Sequence, residues 1–141
     1  MAQDYKNHTR FVPVWHIATA TAIVAVIIGS VINLIKSSGE NLYSASLIVV
    51  MSLILASIFW YSRKFALMAQ DRVIRAEESL RHLTLTGKPL DHRLRIGQVI
   101  ALRFASDEEF PELAQKAAEK GLRSKTIKKM IKSWREDNHR V

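Results

Sequence analysis

The residues that could do chemistry in this chain are few and scattered. Five histidines, His8, His16, His82, His92 and His139, include no pair at metalloprotease spacing. Glu78 and His82 fall on one helical face at i,i+4 and could supply two ligands to a divalent metal, but no third ligand accompanies them, so a solvated pair is the simpler reading. Gly87-Lys88 is only the end of a phosphate-loop signature: the upstream glycine and the Ser or Thr after the lysine are missing. Serines, histidines and acids occur, but none in a nucleophile-elbow context. Cysteine is absent, which excludes disulfides, thiolate catalysis and Cys-ligated zinc or iron–sulfur centres. The expectation is a protein that is not an enzyme and holds no cofactor.

What the residues do specify is position. From Phe11 to Ile35 there are 25 residues without a formal charge, bracketed by Arg10 and Lys36, and from Asn41 to Ser62 there are 22 more, bracketed by Glu40 and Arg63. At about 1.5 Å per helical residue, each run is long enough for a hydrocarbon core about 30 Å thick. The first run exceeds the 7–15 apolar residues of a signal peptide and has no clean small-x-small site, so it reads as a span. The expected organisation is an N-terminal arm (1–10), a transmembrane hairpin (11–62, with spans at about 13–35 and 42–62), a helical stalk (63–85) and a basic helical domain (86–141).

In the first span Ala18, Ala22, Ala25 and Gly29 recur at intervals of four, three and four, with Ala45, Val49, Ser52 and Ala56 as a counterpart in the second. Small side chains let helices approach closely, so these stripes predict the helix-packing seam. Thr19, Thr21, Ser30, Asn33, Ser52 and Ser57 read as interhelical or back-bonding groups, and the KSSGEN hinge as a tight turn. Trp15, Trp60, Tyr61, Arg63 and Lys64 fit interfacial anchors. The cations that follow the second span, against one Lys and one Glu in the hinge, place both termini in the cytoplasm.

No Gly or Pro occurs between Gly39 and Gly87, so the second span is expected to continue as one helix to about Leu85. Ser62, Ala66, Ala69, Val73, Ala76, Leu80 and Leu83 form a three–four repeat along it. Either a parallel coiled coil or packing against the tail satisfies that pattern. Asp71 with Arg75 and Glu77 with Arg81 are expected i,i+4 pairs.

Beyond the TGKPLDHR loop, a short helix should turn Ile96, Val99, Ile100 and Phe104 to one side. Ser106 and the acidic run after it should cap a second helix opened by Pro111, with Phe110, Leu113, Ala114 and Ala117 inward and Gly121 at its end. Ser124 should cap a last helix, with Ile127, Met130, Ile131 and Trp134 buried at i, i+3, i+4 and i+7. That leaves Lys125, Lys128, Lys129, Lys132 and Arg135 as an outward basic face.

Residues 63–141 hold 18 Lys or Arg against 11 Asp or Glu, a net +7 of the chain's +8. So basic a tail needs an anionic neighbour: lipid headgroups, an acidic protein or nucleic acid. The segments QDYKNHTRFVPVWH, QDRVIRAEESLRH, TGKPLD and ALRFASDEEFPELA together resemble an uncharacterised bacterial family of small two-span membrane proteins, a domain of unknown function. The resemblance implies a bacterial envelope protein, placed here in the inner membrane, and supplies no catalytic or binding residues.

The fold expected is therefore all-α: a two-helix transmembrane hairpin whose long second helix continues into a small cytoplasmic helical domain. The expected role is that of a small accessory or scaffolding subunit whose tail engages anionic lipid or a protein partner, including a second copy of the chain. The alternative is a membrane-tethered nucleic-acid-binding regulator with a degenerate helix-turn-helix at 113–131. There Ala117, Gly121, Leu122, Ile127 and Met130 fit the motif, while Lys116 and Lys120 fall where its first helix should be apolar.

Overall fold

The structure, a computed structural model, describes residues 12–136; the expected arm (1–10) lies outside them. Its regular elements are all helices, and among the described residues the only β-type pairing is a single antiparallel bridge between Ala105 and Trp134. The described residues fall into two compact units, one within Phe11–Ala66 and one within Leu67–Val141.

The first unit opens with a π-helical turn, Val14–Thr19, behind Pro13, and passes directly into α1, Ala20–Lys36. Pro13 lacks an N–H to donate. The Thr19 hydroxyl donates to the Val14 carbonyl at 3.1 Å, five residues back, as the wider turn requires. After the hinge, α2 runs from Leu42 to Thr86, 45 residues without a break. Uninterrupted backbone hydrogen bonding is what a stretch free of Gly and Pro allows. A helix of that length measures roughly 70 Å, about twice a bilayer's hydrocarbon thickness.

The two helices touch at two levels. Trp15 stacks on Phe59 with ring centroids 4.6 Å apart and planes 20° from parallel, and Ser30 Oγ lies 3.3 Å from Ser52 Oγ. Each serine also back-bonds to a carbonyl three residues earlier, Ser30 to Ile27 and Ser52 to Val49. Two hydroxyls bring two protons to three contacts, so one proton at a time crosses between the helices. Ser30 and Ser52 are buried, as is Ala45, while Ala56 and Val49 are half-buried. On α2 the expected stripe therefore faces α1.

On α1 it does not. Ala18, Ala22, Ala25 and Gly29 are all exposed, and a Cβ added to Gly29 would meet nothing within 4 Å. The contact face is Ile23, Ile27, Ser30 and Leu34 instead. Small side chains permit close approach without favouring it, whereas Ser30 gains a partner only when turned toward Ser52. Gly29→Leu should accordingly leave cellular abundance at the wild-type level by immunoblot, while Ser30→Leu wedges the helices apart and lowers it. The opposite ranking would place the α1 contact on the small-residue stripe.

The second unit consists of the C-terminal part of α2 with α3 (Ile96–Leu102), α4 (Phe110–Lys120) and α5 (Ser124–Met130). From Leu67 onward the expected stalk (63–85) falls in the same compact unit as α3, α4 and α5. The core holds Leu94, Val99, Leu102, Phe104, Phe110, Leu113, Ala114, Ala117, Ile127 and Ile131. On α4 the expected inward face, Phe110, Leu113, Ala114 and Ala117, is the buried one. On α3, Val99 and Phe104 are buried as expected, but Ile96 is exposed and Ile100 half-buried, and Gln98 and Leu102 take their places. Gln98 lies inside because its amide is satisfied: Nε2 donates to the carbonyls of Leu122 (2.8 Å) and Ala117 (3.3 Å), and Oε1 accepts the Arg95 N–H (2.7 Å).

Gly121 ends α4 in the left-handed region, φ 58°, where a residue without a Cβ is unstrained. Neither expected side-chain cap forms. The residue before α4 is Glu109, with no capping bond, and Ser124 Oγ donates across to the Gly97 carbonyl at 2.7 Å, joining α5 to α3.

Candidate interaction surface

The tail domain closes on one side of α2 through a polar cluster. Arg81 is its hub: its guanidinium bonds Glu78 (2.9 Å), Asp107 (2.6 Å) and the Ala105 carbonyl (2.8 Å), and lies 4.5 Å from the centre of the Phe110 ring. Two residues of the cluster, Arg81 and Glu78, are almost fully enclosed, with side chains 11% and 8% exposed. Such burial is tolerable only because every charge has a counter-charge or a carbonyl. Arg75 adds a bond to the Leu94 carbonyl. The pairs expected from spacing, Asp71 with Arg75 and Glu77 with Arg81, give way to the Leu94 carbonyl for Arg75 and to Glu78, Asp107 and the Ala105 carbonyl for Arg81, which hold its planar guanidinium in several directions at once.

Glu78 and His82 do not converge on a metal site. Glu78 faces Arg81, and His82 Nδ1 lies 2.9 Å from the Lys88 carbonyl, its ring edge-on to Phe110. Among the described residues no group of three or more His, Cys, Asp or Glu is arranged to hold a metal ion. In the loop before α3, the Arg93 side chain and N–H hold the Asp91 carboxyl down to about 2. A depressed carboxyl stabilises the fold above its ordinary titration range, and that contribution disappears as pH falls toward 2. Both groups are solvated, so the effect is confined to the order of the loop.

The expected basic face is rearranged because α5 is only seven residues long. At Ile131 the chain leaves the helix and runs extended, held by the Glu109 carboxylate, which accepts the N–H groups of Lys132 and Ser133 at 3.0 Å each. The Ser106 N–H then bonds the Ser133 carbonyl, and the Arg135 N–H bonds the Phe104 carbonyl. Trp134 is thus not the fourth member of a helical stripe: it bridges to Ala105, half-buried, with its ring 5.1 Å from Phe104. Met130 is likewise half-buried, while Ile127 and Ile131 are buried.

Of the five expected cations, Lys125, Lys129, Lys132 and Arg135 are exposed. Lys128 is half-buried, its ammonium 5.3 Å from the centre of the Phe104 ring, a cation–π contact that removes it from the outward set. A shallow cleft of about 180 Å³ adjoins this surface, lined by Glu109, Glu112, Leu113, Lys116, Met130 and Lys132. Sequence reading missed Arg81 and Glu109 as organising residues. The run of acids ahead of Phe110 is the available signal, and its last member holds the chain after α5 where a cap is expected.

The expected anchors divide too. Trp60 and Tyr61 are exposed, and Lys64 lies over the Tyr61 ring at 5.6 Å. Trp15 is instead committed to the stack with Phe59, and Arg63 is half-buried.

A family model covers residues 1–141, the whole chain, under the description family of unknown function (DUF6526). The chain belongs to that family. No curated protein and no solved structure matches it. Membership in this family assigns no activity, so geometry and charge must carry the functional reading.

Proposed function

We propose that this DUF6526 protein is a non-enzymatic bacterial inner-membrane protein, anchored by a two-helix hairpin with both termini in the cytoplasm, whose basic tail docks on anionic lipid. The observation that carries the reading is the exposure of the two apolar helices. Their most apolar 18-residue windows have mean hydropathies of 2.2 and 2.3, yet only 6% and 11% of those windows are buried. A core helix of a soluble protein would hide that surface, and large apolar side chains open to the surroundings on every side are suited to lipid. The charge pattern supports the orientation, since the cations cluster after the second span.

Lys125, Lys129, Lys132 and Arg135 supply the tail's docking charge. Each cation near an anionic leaflet contributes about 1 kcal/mol, and the sum weakens as salt shortens the screening length. Residues 67–141 should co-sediment with vesicles containing phosphatidylserine at low salt, and release as salt rises. Lys125→Glu, Lys129→Glu and Lys132→Glu together should abolish that binding with helicity unchanged by circular dichroism. Lys128 stays untouched because its ammonium packs on Phe104. A wild-type tail that ignores such vesicles at low salt overturns lipid docking and leaves an acidic protein, or a nucleic acid held by α4 and α5, as the partner.

A further inference from the structure

The tail domain covers one side of α2 and leaves an apolar stripe open on another. Along the part of α2 that belongs to the tail unit, the buried residues are Ile74 and Glu78, with Arg81 and His82 half-buried beside them. The three–four repeat is bare. Ala69 and Ala76 are exposed, and Val73, Leu80 and Leu83 show 55%, 65% and 46% of their surface. In heptad terms Val73 and Leu80 take a positions, and Ala69, Ala76 and Leu83 take d positions. Glu78 then falls at f, directly opposite the seam, so the tail domain docks where it does not obstruct one.

The geometry points to a second copy of this chain as the occupant, paired with the first as a parallel, in-register coiled coil over 69–83. Charge selects that partner. Arg72 is at a g position and Glu77 at the e position five residues later, the pair that meets across a parallel seam, once on each side of the two-fold axis. Both are exposed, and among the described residues neither side chain forms an ion pair or hydrogen bond within its own chain. Parallel orientation follows from the membrane reading above, on which this inference rests: copies inserted with one topology present α2 in one direction. Two heptads rich in alanine make a weak coiled coil alone, but confinement to a bilayer supplies the effective concentration that such a seam needs.

The chain has no cysteine, so single replacements report cleanly. Full-length protein carrying Val73→Cys, Leu80→Cys or Leu83→Cys, reconstituted in liposomes and mildly oxidised, should give on the order of tenfold more disulfide dimer than Leu67→Cys or Leu85→Cys. The seam positions alone bring two Cβ atoms within bonding reach. Arg72→Glu in the Leu80→Cys background should suppress the dimer, and adding Glu77→Arg should restore it. Equal crosslinking at all five positions marks random collision and overturns the proposal, as does dimer at Leu67 or Leu85 only. Absence of dimer in protein that resists carbonate extraction overturns the coiled coil and leaves the membrane reading standing. Extraction by carbonate overturns the membrane reading itself, and with it the basis for a parallel pair.

Discussion

Phe110→Ala should nearly unfold the tail. The ring is fully buried at the start of α4, with the Arg81 guanidinium over one face and the His82 ring against it edge-on. Truncating such a residue costs about 3–5 kcal/mol, through lost transfer energy and the cavity left behind. A domain of this size has only about 5–15 kcal/mol to lose, with the lower end more typical. The measurement is urea unfolding of residues 67–141 followed by fluorescence of Trp134, the single tryptophan of that segment. The midpoint should fall by about 2–3 M at an m-value of about 1.5 kcal/mol/M. A midpoint equal to wild type would mean that the α4 face described here does not form the core.

Arg81→Met should do comparable damage for a different reason. It leaves Glu78 enclosed without its counter-charge, and it strips Asp107 and the Ala105 carbonyl of a donor. Removing one partner of a buried pair costs about 3–5 kcal/mol, whereas replacing both with apolar groups of similar volume is often neutral. The double variant Arg81→Met with Glu78→Met should therefore recover a large share of the stability lost by Arg81→Met alone. The check is the coupling energy from the four urea curves. Additive losses would show that the two side chains do not depend on each other.

These two sites also mark where sequence was readable. The inward face of α4 follows from periodicity alone, because Phe110, Leu113, Ala114 and Ala117 have no competing arrangement. The extent of α2 was nearly as clear: a stretch without Gly or Pro was expected to end near Leu85, and it ends at Thr86. What periodicity could not reveal is a choice between faces. On α2 the apolar stripe was the natural candidate for packing, yet the domain closes on the side of Ile74, Glu78 and Arg81, where partners for the charges come from residues as distant as Asp107. On α1 the small-residue stripe lost to one hydroxyl contact. At the end of α5 the helical pattern runs on through Trp134 in sequence, but the Glu109 carboxylate takes the N–H groups of Lys132 and Ser133 away from helical geometry. In each case the deciding partner lay far along the chain.

Continuity of hydrogen bonding along α2 conceals a division of allegiance. Its 45 residues form one helix, but their contacts belong to two compact units that part between Ala66 and Leu67. Past Leu67, α2 is tied to the tail through Arg81 and His82, which meet Asp107, the Ala105 carbonyl and Phe110, so its amides from about 70 to 86 should open and close with α3, α4 and α5 as one cooperative foldon. The amides before Ala66 owe nothing to that core. Loss of the tail's structure would unravel α2 only as far as the boundary, leaving a shorter helix intact and making the division visible in hydrogen-exchange rates where the secondary structure shows no break.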